Sequence, residues 1–185
     1  MNWIITSLAA AAVTAIALPA FAEGGEQAFG AFRQLCVDTK ADYPAVVAGI
    51  DAGGWKATEI LADTMKGVSI TDKTSRTKTV GDSSLTIFAW RGLAASNVKI
   101  SDCTMRVDKA NFTDMHTRAQ TLLGMSAQQA TPQKAVFHYT DANGAHQAVS
   151  SDAEYEAAAA AAGLEILTVS SDGAGATLDL LTIRK

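Results

Sequence analysis

The segment TSRTKTVGDSSLTIFAWR, residues 74 to 91, decides the fold class of this chain. Two runs with strand character, Thr74 to Val80 and Ser84 to Arg91, flank the pair Gly81-Asp82, which is typical of a hairpin turn. The apolar side chains of the second run alternate between two faces, with Leu85, Ile87 and Ala89 on one and Phe88 and Trp90 on the other. A strand that is apolar on both faces is expected to be central and covered on both sides.

The residues before this hairpin predict two helices. Phe29, Phe32 and Cys36 recur at intervals of three and four residues, so Cys36 is expected to point into the core. A second, shorter helix should begin at Asp42 or Tyr43 and end at Gly53-Gly54. Trp55 is then expected to fold back onto that helix as an anchor.

The residues after the hairpin predict further strands and two more helices. Val98 to Val107 is apolar in two phases, and a bulge near Ser101-Asp102 would reconcile them. Asn111 can cap a helix whose apolar stripe includes His116 and which ends before Gly124. Later come a hairpin around Asn143-Gly144, a helix opened by the capping box Ser151 to Glu154 and closed by Gly163, and two last strands, 164 to 170 and 176 to 184.

The resulting order is α-α-β-β-β-α-β-β-α-β-β. It predicts an α+β fold in which a mostly antiparallel sheet of about 6 to 7 strands is combined with an N-terminal helix pair and two further helices. Residues 23 to 185 have the length of one domain and contain no obvious linker.

The first residues carry the features of a secretory signal peptide, predicted here as residues 1 to 22. An apolar run from Trp3 to Leu18 is followed by Pro19 and by the small-x-small site Ala20-Phe21-Ala22. We therefore expect a periplasmic or secreted protein, with no stable membrane insertion after cleavage. An uncleaved anchor is the alternative, because the run from Trp3 to Phe21 is nearly long enough to span a bilayer.

The charge of the chain is mildly acidic. Fifteen basic and nineteen acidic residues give a formal net charge of -4, which provides no electrostatic basis for binding nucleic acid or an anionic membrane. The most basic segment, residues 66 to 78, contains Asp72 and no aromatic residue.

The two cysteines, Cys36 and Cys103, predict a disulfide bond. An even number of cysteines in an exported chain favours a bond between them. Two buried thiols and a reactive nucleophile are the alternatives, but Cys36 has neither a CxxC partner nor an adjacent histidine.

The three histidines raise the question of a metal ion or of acid–base chemistry. In a two-residue hairpin loop His146 lies opposite Asp141, whereas His138 faces the other side, so the two histidines could not share an ion. We therefore predict an Asp141–His146 pair and neither a metal site nor a cofactor. His116, inside the apolar stripe of its helix, is a weak candidate for catalysis beside an unassigned carboxylate.

The motif FRQLC, the GGW after a short helix and the second lone cysteine give the chain a resemblance to small exported proteobacterial proteins of uncharacterised function. This resemblance covers Phe29 to Val107 and implies export and a Cys–Cys pair. The leading hypothesis is an exported, non-catalytic domain that binds a protein or an envelope component. The alternatives are a small exported hydrolase that uses His116 and an inhibitor or immunity-like partner of an envelope enzyme.

Overall fold

The computed structural model describes residues 21–59, 67–142, 144–161 and 163–185. Nearly all of the predicted signal peptide, and Asn143 of the predicted turn, lie outside the described residues. The described helices are α1 (Phe21–Phe32), α2 (Tyr43–Ala52), α3 (Phe112–Leu123) and α4 (Asp152–Ala161), with a π-helical turn at Arg33–Val37 and a 3-10 turn at Ala95–Asn97. The described strands are β1 (Lys56–Ala57), β2 (Val68–Val80), β3 (Ser83–Ala94), β4 (Lys99–Asp108), β5 (Gln129–Thr131), β6 (Lys134–Ala142), β7 (Ala145–Ala148), β8 (Leu164–Ser171) and β9 (Gly175–Arg184).

The strands form one open sheet in the order β1-β2-β3-β4-β9-β8-β6-β5, and β7 pairs with β6. Every described strand pair is antiparallel. The predicted α+β class with an antiparallel sheet and four helices is thus confirmed, whereas the predicted number of strands is too low. The two additional strands, β1 and β5, have two and three residues, which is too short to produce a periodic pattern.

One face of the sheet, which we call the front face, carries the main core. Ile87 of β3, Met105 of β4, Leu178 of β9 and Val169 of β8 lie side by side on it through the strand registers. Helices α1, α2 and α3 pack against this face, and their buried side chains join the same cluster. Helix α4 packs on the opposite, back face against Leu164, Ile166 and Ile183.

Strand β3 has the two-sided pattern that its sequence predicts. Leu85, Ile87 and Ala89 are fully buried on the front face and Trp90 is 4% exposed on the back face. The bulge predicted near Ser101-Asp102 is wrong, because β4 pairs with β9 without a register shift from Lys99 to Asp108. Ile100 is buried on the back face and Cys103 on the front face, so both apolar phases of β4 fit one regular strand. A register shift occurs instead in β2, between Ile70 and Asp72.

Cys36 and Cys103 form a disulfide bond with a Cα–Cα distance of 5.5 Å. Both residues are fully buried, so the bond fixes the π-helical turn to the middle of the sheet. Directly after this turn, Lys40 and Ala41 adopt left-handed backbone conformations with φ of 55° and 53°.

Within the described residues, no helix combines the length and the apolar character needed to cross a membrane.

Candidate functional site

His116 lies in an aromatic environment on α3. Its ring stacks on Phe112 at 5.6 Å and contacts Phe137 at 5.9 Å between ring centroids. Its Nε2 atom is buried and has no hydrogen-bond partner among the described residues. General acid–base catalysis requires a partner within hydrogen-bond reach, and the described contacts of the His116 ring provide aromatic carbon instead.

The other two histidines lie on opposite faces, as the two-residue loop predicts. Asp141 is the register partner of His146, and the His146 ring packs edge-on against Tyr139 at 5.2 Å. His138 Nδ1 lies 2.9 Å from the Tyr155 hydroxyl on the back face, and burial lowers the pKa of His138. No group of three or more metal-ligating side chains occurs within the described ranges.

Asp141 pairs with His146 across the hairpin, as predicted, and it has further partners that the sequence did not predict. Its carboxylate forms an ion pair with Lys40 at 3.1 Å and accepts a hydrogen bond from the Gly144 N–H at 2.7 Å. Burial raises the pKa of Asp141, but these two donors outweigh it and the pKa is lowered from its ordinary value. Since Lys40 is about one hundred residues away in sequence, a hairpin pattern could not predict this contact.

Tyr139 and Glu165 form the centre of a buried polar cluster on the front face. They are register partners on β6 and β8, and Glu165 is 3% exposed while Tyr139 is fully buried. Burial raises the pKa of both groups, and the Glu165 carboxyl raises that of Tyr139 further. The Tyr139 hydroxyl makes no hydrogen bond of standard geometry to the described residues, yet its interaction with the Glu165 carboxyl lowers the pKa of Glu165 in part.

A surface groove of about 650 Å³ lies between α1, α2 and the turn end of β2 and β3. We call it the Trp55 groove. Its base includes the buried Leu35 and Leu85, and Gln27 of α1 and Gln34 of the π-helical turn are exposed at its side. Glycine and alanine residues form much of the remaining surface: Gly30, Ala31, Gly49, Ala52 and Gly53.

Local backbone geometry places Trp55 beside this groove. Helix α2 ends at Gly53, and Gly54 has a φ of +70°, which turns the chain back toward the helix. A side chain on residue 53 would come within 2.9 Å of the Trp55 ring, so the close approach of the indole requires glycine there. Lys78 also contacts the ring, with Nζ 5.9 Å from its centroid, and donates to the Gly53 carbonyl oxygen at 2.9 Å.

The sequence predicts Trp55 as an anchor, but Lys78, Gln27 and Gln34 were not predicted. Lys78 is the register partner of Leu85 and shares its face, and this can be inferred once the hairpin register is known. Glu165 and Tyr139 were also missed, although each alternates in phase with buried neighbours, Leu167 and Phe137. Strand phase was thus a usable signal for the buried polar pair.

Comparison of the chain with protein-family models, with curated proteins and with solved structures finds no match.

Proposed function

We propose that this protein is an exported, non-catalytic domain that binds a protein or another envelope component through the Trp55 groove. The observation that carries this proposal is a half-buried tryptophan fixed at the side of a groove of about 650 Å³ with an apolar base. Export is inferred from the signal-peptide pattern and is compatible with the disulfide bond, since such bonds persist in oxidising compartments.

The groove has the composition expected of a recognition surface. Binding energy in protein interfaces concentrates in a few residues, among which tryptophan is enriched, and polar groups usually surround the apolar centre. Trp55 supplies the large apolar side chain here, while Gln27 and Gln34 supply uncharged polar groups. Because Lys78 and Gly53 already hold the indole, little side-chain freedom is lost when a partner binds.

The small residues of the groove favour a partner that inserts side chains. Gly49 lies so close to the π-helical turn that a Cβ atom there would come within 2.6 Å of Leu35, whereas a Cβ atom on Gly30 would meet nothing within 4 Å. Space above Gly30 is therefore open to an incoming group. An inhibitor or immunity-like role would use the same surface, with an envelope enzyme as the partner.

A site-specific photo-crosslinking experiment tests this proposal. A photo-reactive amino acid at Gln34, beside the groove, is expected to capture a specific envelope protein in living cells. The same amino acid at Lys134, exposed at the start of β6, provides the control for random contact. Trp55→Ala should abolish the capture and Trp55→Phe should retain most of it, because phenylalanine preserves an aromatic side chain.

Equal capture from both positions, or capture that Trp55→Ala leaves unchanged in a folded protein, would contradict the proposal. Turnover in a panel of hydrolase substrates that His116→Ala removes, without a change in thermal unfolding, would favour the hydrolase alternative instead.

A further inference from the structure

We propose a second binding site, specific for an oxyanion, at the opposite end of β2 and β3 from the Trp55 groove. A cleft of about 550 Å³ lies there beside Asp42, and its charged lining is mainly basic. We call it the basic cleft and define it by Arg91, Lys99, Ser101 and Arg184. Its volume is in the range of small-molecule sites.

The strand registers place these side chains in two adjacent rows on the front face. Arg91 pairs with Ser101, and Ser101 pairs with Thr182. In the next row toward the strand ends, Lys99 pairs directly with Arg184. Like charges directly opposite each other on neighbouring strands are unfavourable, so Lys99 and Arg184 repel each other when no anion lies between them.

Three hydrogen-bond donors of the basic cleft have no acceptor in the described part of the chain. The Lys99 ammonium, the Arg184 guanidinium and the Ser101 hydroxyl form no hydrogen bond or ion pair there. The Thr182 hydroxyl is already used, because it donates to the Lys40 carbonyl oxygen at 3.0 Å. Three donors around one cleft match a group that presents several acceptor oxygens.

Two of the cations, Arg184 and Arg91, are held in place by contacts outside the cleft. The stem of Arg184 packs on Gly163, where a Cβ atom would come within 3.0 Å of its Cγ. Arg91 donates through Nε to Asp72 at 2.6 Å, and its guanidinium lies 5.5 Å from the Tyr43 ring centroid. Positioned cations lose less conformational entropy when they bind an anion.

Besides Asp72, which pairs with Arg91, two carboxyl groups lie near these cations and limit the local positive charge. Asp42 lines the cleft, but its carboxylate caps α2 by accepting from the Ala45 N–H at 3.2 Å. Glu165 on β8 is the register partner of Thr182 and is buried, and Arg184 lowers its pKa in part. Neither carboxylate forms an ion pair with Lys99 or Arg184 among the described residues.

The ligand is therefore a small molecule that carries a multivalent oxyanion, either a phosphate or a group of carboxylates. Both have acceptor oxygens in the number that the three donors require. Binding should weaken as salt is added, because the cleft is open to solvent.

Calorimetric titration of the disulfide-bonded protein with sodium pyrophosphate, and separately with sodium citrate, tests the proposal and distinguishes phosphate from carboxylate. At low ionic strength we expect saturable binding of at least one probe at a ratio of one to one. Lys99→Gln should reduce the affinity about tenfold, since one charge-assisted contact contributes roughly 1.5 kcal/mol. Lys134→Gln removes the same charge from an exposed position outside the cleft and should leave the affinity within twofold.

A thermal measurement provides a second test that does not depend on heat of binding. Each bound probe should raise the melting temperature of the wild type, and Lys99→Gln should reduce that rise while leaving the ligand-free protein at least as stable. Absence of saturable binding for both probes would overturn the proposal. So would equal losses of affinity in Lys99→Gln and Lys134→Gln, which would indicate a general charge effect.

Discussion

Glu165 is a carboxyl group in a position where its strand otherwise places apolar side chains. Its register partners are Tyr139 on β6 and Thr182 on β9, and it is 3% exposed. Burial raises its pKa, while Tyr139 and Lys40 lower it in part. The folded protein therefore retains this proton at pH values at which the unfolded chain has lost it. The stability that results is complete below the ordinary pKa of 4.5 and is lost as the pH rises through the folded-state pKa.

The substitution Glu165→Gln tests this coupling. Glutamine preserves the shape and stays neutral, so we expect little change in the free energy of unfolding at pH 4 and a gain of roughly 1 kcal/mol at pH 8. Urea denaturation at both pH values gives the measurement. Glu156→Gln, which removes an exposed acid on α4, is the control for net charge. A variant that is less stable than the wild type at pH 8 would show that Lys40 stabilises an ionised Glu165.

Residue-scale prediction from the sequence succeeded where one local rule decides. The inward orientation of Cys36 follows from helical phase, and the opposite faces of His138 and His146 follow from loop length. The ion pair between Asp141 and Lys40 was missed because Lys40 reaches Asp141 only through the tertiary fold. The left-handed backbone conformation of Lys40 and Ala41 was likewise not predictable, because neither residue is a glycine or an asparagine, the residues that usually indicate it.

At the scale of elements, α3 is the best predicted part of the chain. Its start, its buried stripe and its end at Gly124, which has a φ of +65°, all match the expected pattern. Helix α4 also begins with the predicted capping box, in which Glu154 accepts hydrogen bonds from the Ser150 and Ser151 N–H groups. Elements whose ends are marked by capping residues are predictable because those residues satisfy backbone groups that would otherwise lack partners.

The cap of α3 provides a second prediction. The Asn111 side chain accepts from the Thr113 N–H at 2.8 Å and from the Asp114 N–H at 3.2 Å. Asn111→Ala removes both hydrogen bonds and is expected to lower the free energy of unfolding by about 1 kcal/mol. Denaturant unfolding measures the change, and Asn111→Asp, which can still accept both bonds, should remain close to the wild type. Equal losses in the two variants would place the effect in the Asn111 amide group instead of in the cap.

Strand β4, for which the sequence wrongly predicted a bulge, shows where rules at the scale of elements fail. Strand β4 is regular, yet its apolar residues change phase because Ile100 is buried on the back face and Cys103 on the front face. A period of two identifies a strand with one buried face, and it is uninformative where both faces are covered.

At the scale of the whole molecule, local hairpins were predictable and the order of the sheet was not. The β2–β3 and β6–β7 pairs follow from short turns, whereas β4–β9 joins strands whose residues are more than 60 positions apart in sequence. That central pair unites the N-terminal meander with the C-terminal half, and it places Lys99 opposite Arg184. The basic cleft therefore depends on a non-local strand pairing. The Trp55 groove depends mainly on the local residues Gly53 and Gly54, which end α2 and turn the chain.

The disulfide bond is a covalent link between parts of the chain that are distant in sequence, the π-helical turn and β4. It joins residues 67 positions apart. On the chain-entropy model, closing such a loop lowers the conformational entropy of the unfolded chain and thereby stabilises the fold by about 4 kcal/mol. We expect the double variant Cys36→Ala/Cys103→Ala to lose about 2 to 4 kcal/mol in the free energy of unfolding, measured by urea denaturation under oxidising conditions. Wild-type protein with its disulfide reduced should lose a similar amount, which separates loss of the bond from loss of sulfur packing. Two free thiols in denatured, unreduced protein from an oxidising compartment would show that the bond does not form, and the π-helical turn would then have no covalent link to β4.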